Sequence, residues 1–149
     1  MQDAVLARVV PALAVVPGVG AIVLGGSRAR GTATDNSDYD VGLYYAASTP
    51  LDTDRLREAV KKLVDDPRAA EVTPVGGWGR WVVGGAWLSV AGRKVDLIYR
   101  SRDAVADVIQ ACRTGHVSMD YQPGHPHGFA RRSGWERWRC AGPFTTHGG

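Results

Sequence analysis

The chain has 149 residues, 44% of them hydrophobic and 22% charged, which suits one globular domain with a real core and excludes a disordered or fibrous chain. The formal charge of +3 is misleading: residues 131–149 carry four arginines against Glu136, while the first 130 residues balance 14 basic with 14 acidic groups. A neutral body excludes the broad basic surface of a general nucleic-acid binder. Cys112 and Cys140 lack metal-type spacing, so neither a zinc site nor a disulfide framework is expected, and a reducing, cytoplasmic compartment is the default. No apolar run is long enough for a membrane span, and no signal peptide is readable.

Taken in chain order, Leu6, Val9, Val10 and Leu13 give the periodicity of an amphipathic helix that Asp3 can cap, and Pro11 inside it predicts a kink or an early end. Pro17-Gly18 turns the chain into a short buried strand over residues 21–24. Then comes Gly25-Gly26-Ser27-Arg28-Ala29-Arg30-Gly31. Its glycines let the backbone turn sharply and approach a ligand. Ser27 opens a short helical turn whose N–H groups form an anion site. A loop over residues 32–37 leads to a second strand over residues 38–45. Asp52 caps a second helix, with Leu56, Val60 and Leu63 on its buried face.

Residues 72–99 read as two or three antiparallel strands, namely residues 81–83, 86–90 and 94–99, with a turn at Ala91-Gly92. Trp78, Trp81 and Trp87 among glycines read as hairpin and core aromatics rather than as a base-stacking surface. A third helix starts at Ser101 and carries the stripe Val105, Val108, Ile109 and Cys112. After Tyr121 the signals fade into a Gly/Pro loop around His125 and His127, which suits a structural or pocket-rim role. From residue 130 to 149 there is no Val, Ile, Leu or Met, so this tail is expected to be irregular, and its Trp-, Arg-, Gly- and Pro-rich composition suits a truncation or a frame change near residue 130. Trp135 and Trp138 among its arginines are weak as an RNA site. The domain proper is therefore expected over residues 1–129.

Asp38 and Asp40 stand two apart on a strand, so both carboxylates point to one face and Tyr39, Val41 and Leu43 to the other. Two like charges beside an anion-binding loop are costly unless a cation lies between them. A divalent metal held by carboxylates and substrate phosphates resolves the conflict. A phosphate cradle beside a metal site supplies the parts for phosphoryl or nucleotidyl transfer. No Gly-x-x-x-x-Gly-Lys-Ser/Thr is present, so this is not a P-loop protein. Asp96 is a further carboxylate, flanked by Val95, Leu97 and Ile98, where a charge is costly without a partner. Pairing with Arg93 or Lys94 at a hairpin end is the plainer alternative.

Gly-Gly-Ser, ten residues, then Asp-Tyr-Asp-Val resembles the signature of nucleotidyltransferases related to DNA polymerase β. That group includes kanamycin-type and toxin-paired minimal nucleotidyltransferases, and Gly-Ser-Arg-Ala-Arg-Gly looks most like the small bacterial members. The resemblance implies an α/β (α+β) nucleotidyltransferase fold, with a small, mixed, mainly antiparallel sheet and helices on one face. It also implies transfer of a nucleoside monophosphate from an NTP, with ATP favoured, to an acceptor hydroxyl, releasing pyrophosphate. Asp38, Asp40 and Asp96 would hold two Mg²⁺ ions, and Asp96 would also help remove the acceptor proton. Gly26 and Ser27 would hold the β- and γ-phosphates. Arg28 and Arg30 either reach a phosphate or lie on a solvated helix face. The acceptor is expected to be a small hydroxylated molecule or a protein of the toxin type, with RNA less favoured on a neutral body. A homodimer is plausible for so small a domain. The alternative from another class is a non-catalytic nucleotide-binding module or an antitoxin acting by contact.

Overall fold

The computed structural model describes residues 3–79, 82–116, 119–120 and 129–130. The chain begins with helix α1, Ala4–Ala14, capped by Asp3, whose side chain accepts from the Val5 and Leu6 N–H groups. α1 runs through Pro11 and continues to Ala14 instead of ending early. Ala7 and Pro11 are both exposed, so the carbonyl that loses its helical partner faces water. Strand β1, Ala21–Leu24, leads into α2, Gly26–Ala29, a single helical turn. Strand β2, Tyr39–Tyr45, helix α3, Thr53–Leu63, strands β3, Gly85–Val90, and β4, Arg93–Ser101, and helix α4, Arg102–Arg113, follow. Asp52 and Ser101 cap α3 and α4. A two-residue pair, β5, Met119–Asp120, and β6, Phe129–Ala130, lies beyond.

The main sheet has the order β1-β2-β4-β3. Its outer pairs are antiparallel, and the central β2–β4 pair is parallel. α3 lies in the crossover between the parallel strands, as that connection requires. Tyr39, Val41, Leu43 and Tyr45 of β2, Val95, Leu97 and Tyr99 of β4, and Ala86, Leu88 and Val90 of β3 are buried on one face. Val5, Val9 and Leu13 of α1 and Leu56, Val60 and Leu63 of α3 join them in one core. Truncating a fully buried member such as Leu43 or Leu97 to Ala should cost about 2–5 kcal/mol. Strand alternation puts Asp40, Asp96 and Trp87 on the opposite face.

Residues 82–83 form no strand. Val83 and Gly84 instead accept from the backbone N–H groups of Gly76 and Tyr99. The β3–β4 turn is tight: Ala91 and Gly92 have φ of 53° and 71°, the mirror-image conformation that matches strand twist. Asp65 secures it, accepting from Ala91 N at 2.8 Å, Gly92 N at 2.9 Å and Ser89 Oγ at 2.7 Å. The apolar stripe of α4, Val105, Val108, Ile109 and Cys112, is only half-buried. No helix among the described residues is long and apolar enough to cross a membrane. His125, His127, Tyr121, Trp81, Trp135 and Trp138 lie outside the described residues.

Candidate active site

β1 delivers the chain to Gly25, whose N–H donates to the Asp40 carbonyl at 2.7 Å. That bond ties the glycine loop to the start of β2. Gly26 has φ of 62°, a left-handed conformation that glycine adopts without penalty. A Cβ on Gly26 would collide with the Asp40 carboxylate. The glycine therefore makes room for the acid as well as turning the chain.

Gly26, Ser27, Arg30, Asn36, Ser37, Asp38 and Asp40 line an open cleft of about 470 Å³. Hydroxyl, amide, cation and carboxylate groups converge there, the chemistry that suits a charged ligand. Arg30 is exposed at its edge. Arg28, the neighbouring cation of the motif, is occupied elsewhere. Its guanidinium donates to the Ser37 carbonyl at 2.7 Å and lies 3.7 Å above the Tyr39 ring centre. Arg93 reaches the same loop and donates to the Asp35 carbonyl.

Register brings the third carboxylate in. Asp40 of β2 stands beside Asp96 of β4, and Trp87 of β3 stands on the other side of Asp96. Asp38 lies just before β2 and is exposed; Asp40 and Asp96 are half-buried. Burial, followed by the charges of Asp40 and Asp38, pushes the Asp96 carboxyl above its ordinary range, and Lys94 offsets part of this. Asp96 thus feels the charge of the other two acids. Among the described residues, no three His, Cys, Asp or Glu side chains stand close enough to enclose a single ion. The donor set is nonetheless all oxygen, Gly26 lets the Asp40 carboxylate pack directly against the glycine loop, and the repulsion at Asp96 is of the kind a divalent cation relieves. The residues fit such a cation in chemistry.

A second cleft, of about 560 Å³, adjoins Asp38 and Asp96 and is walled by Val64, Ala70, Trp87 and Leu88. Trp87 is not a core aromatic: it is 64% exposed. The inward places on β3 belong to Ala86, Leu88 and Val90, so the residue between them must face out. It stacks on Trp78 with ring centroids 4.6 Å apart. Its position beside Asp96 follows from strand register, which the local pattern around Trp87 does not reveal.

A comparison with curated proteins gives no match. The family model of the nucleotidyltransferase domain matches residues 8–109, a span that includes the glycine loop and all three carboxylates. With more than half of its length matched, on a mixed sheet of the corresponding fold, the chain belongs to the nucleotidyltransferase domain family of the DNA polymerase β superfamily and is a transferase.

Proposed function

We propose that the protein transfers a nucleoside monophosphate from ATP to a hydroxyl of a small acceptor, releasing pyrophosphate, with Mg²⁺ as the metal. The observation that carries this reading is the row of carboxylates beside a glycine loop: Asp40 next to Asp96 across the parallel strands, with Gly26 packed against Asp40. Asp38, Asp40 and Asp96 are the residues that would hold two Mg²⁺ ions. When bound, these ions supply positive charge to the phosphate oxygens and to both the entering and leaving oxygens. Gly26 and Ser27 offer N–H and hydroxyl donors to the β- and γ-phosphates, and Arg30 at the cleft edge adds a cation.

In the reaction, the acceptor oxygen forms a bond to the α-phosphorus, and the bond from that phosphorus to the bridging oxygen breaks. The electron pair leaves with pyrophosphate. Asp96 takes the acceptor proton as the general base. The cleft walled by Trp87 opens beside Asp96 and has the volume of a small-molecule site. This supports a small hydroxylated acceptor whose ring lies on the Trp87 face.

The test incubates the protein with Mg²⁺, α-labelled ATP and fractionated bacterial extract. Label should move to the small-molecule fraction and stay in ATP with Asp40→Ala. Label in the protein fraction would replace the acceptor assignment. No transfer, while ATP still binds, would favour a non-catalytic binding module.

A further inference from the structure

Asp38 precedes the first ladder residue of β2, so its position depends on what holds its neighbours. One side chain holds both. Arg28 Nη2 donates to the carbonyl of Ser37, the residue before Asp38, at 2.7 Å. The same guanidinium lies 3.7 Å over the ring of Tyr39, the residue after it. The Tyr39 hydroxyl donates to the Asp3 carboxylate at 2.9 Å, and Asp3 in turn caps α1. Arg28 Nη1 lies 4.0 Å from Asp3 Oδ2, which closes the ring of contacts, and the Arg28 side chain is only 16% exposed.

We infer that Arg28 is a positioning residue: clamped between Ser37 and Tyr39 and anchored through Asp3, it fixes the backbone that aims Asp38 at the metal and nucleotide. This rests on the reading of Asp38 as a cation ligand. A bidentate, planar cation suits the task because it donates to a carbonyl and stacks on a ring at once, which lysine cannot do. Stability alone does not select this arrangement, since Arg28 Nε is buried with no hydrogen-bond partner among the described residues. Local costs of that kind are expected where a site needs the geometry. Groups that orient ligands without touching the metal commonly govern its affinity.

The experiment titrates Mn²⁺ with α,β-methylene ATP, a non-transferable analogue, onto the full chain and follows bound Mn²⁺ by water-proton relaxation. Thermal melts of each variant fix a temperature at which it is folded. Arg28→Ala should weaken Mn²⁺ binding about 10- to 100-fold. Arg28→Lys should recover only part of the loss. Tyr39→Leu, which keeps the cation and removes the ring, should move the affinity in the same direction and serves where Arg28→Ala does not fold. A merely structural clamp would lower the melting temperature and leave Mn²⁺ affinity at the wild-type value. That result, with Asp38→Ala abolishing binding, overturns the inference and leaves the metal reading standing. Undiminished Mn²⁺ binding in Asp38→Ala overturns the metal reading itself, and the inference with it.

Discussion

Asp40 and Asp96 stand side by side on two parallel strands, on the sheet face turned away from the α1–α3 core. Neighbouring strands are about 4.8 Å apart, so the two carboxylates repel. The Asp96 carboxyl is accordingly raised, by burial first and then by Asp40 and Asp38. A raised folded-state pKa means that the native state binds more protons than the unfolded chain just above pH 3.8. Stability contributed by Asp96 therefore falls as pH rises through that window and stays low above it. Asp96→Asn should melt higher than wild type at neutral pH without metal, and the gap should close as pH falls toward 4. The same variant should lose about 10²- to 10⁴-fold in transfer rate. Melting curves across pH 4–8, with and without Mg²⁺, check the first outcome, and a transfer assay checks the second.

Gly26 is held at φ of 62° with the Asp40 carboxylate where a Cβ would be. Gly26→Ala should cost about 1–2 kcal/mol for the backbone alone. The displaced Asp40 adds to that loss and removes the transfer activity. Urea unfolding and the transfer assay measure the two effects separately, and activity should suffer far more than the fold.

Trp87 is exposed and stacked on Trp78. If its free face receives the acceptor, Trp87→Ala should raise the acceptor KM by up to about tenfold, as expected for a contact worth 0.5–1.5 kcal/mol. The KM for ATP should not change, because the cleft beside Gly26 and Ser27 does not include Trp87. Steady-state kinetics with each substrate varied in turn distinguish these outcomes.

Ala91 sits at φ of 53° in the β3–β4 turn, a conformation that costs an alanine about 1–2 kcal/mol. Asn tolerates it, and Asn-Gly is the favoured pair for this turn. Ala91→Asn should stabilise the protein by about 0.5–1 kcal/mol and leave transfer unchanged. Denaturant midpoints and the transfer assay check both parts.

The local rules carried far in this chain. The cap at Asp3 and the glycine turn are legible because each depends on residues close in sequence. Non-local pairing is not legible in that way. The parallel partnership of β2 and β4 decides that Asp96 stands next to Asp40, and the β3 register decides that Trp87 faces out beside it. The apolar Val82-Val83 pair suggests a strand, but no strand forms there, and the Val83 carbonyl accepts from the Gly76 N–H instead. Arg28 carries the same ambiguity in sequence as Arg30. Only the fold brings Asp3 and Tyr39 to it and leaves Arg30 at the cleft. Pro11 suggests a kink or an early helix end, and exposure of Ala7 and Pro11 lets α1 continue past it.

The proposed reaction moves the α-phosphorus, not the γ-phosphorus, to the acceptor through the Asp38, Asp40 and Asp96 site. The most direct measurement compares ATP labelled at α with ATP labelled at γ, using wild-type protein, Asp40→Asn and Asp96→Asn in parallel. Wild-type protein should put α label in the product and γ label in pyrophosphate, and both variants should lose about 10²- to 10⁴-fold of that transfer. Label from the γ position in the product, or α transfer undiminished in either variant, would contradict the proposed reaction.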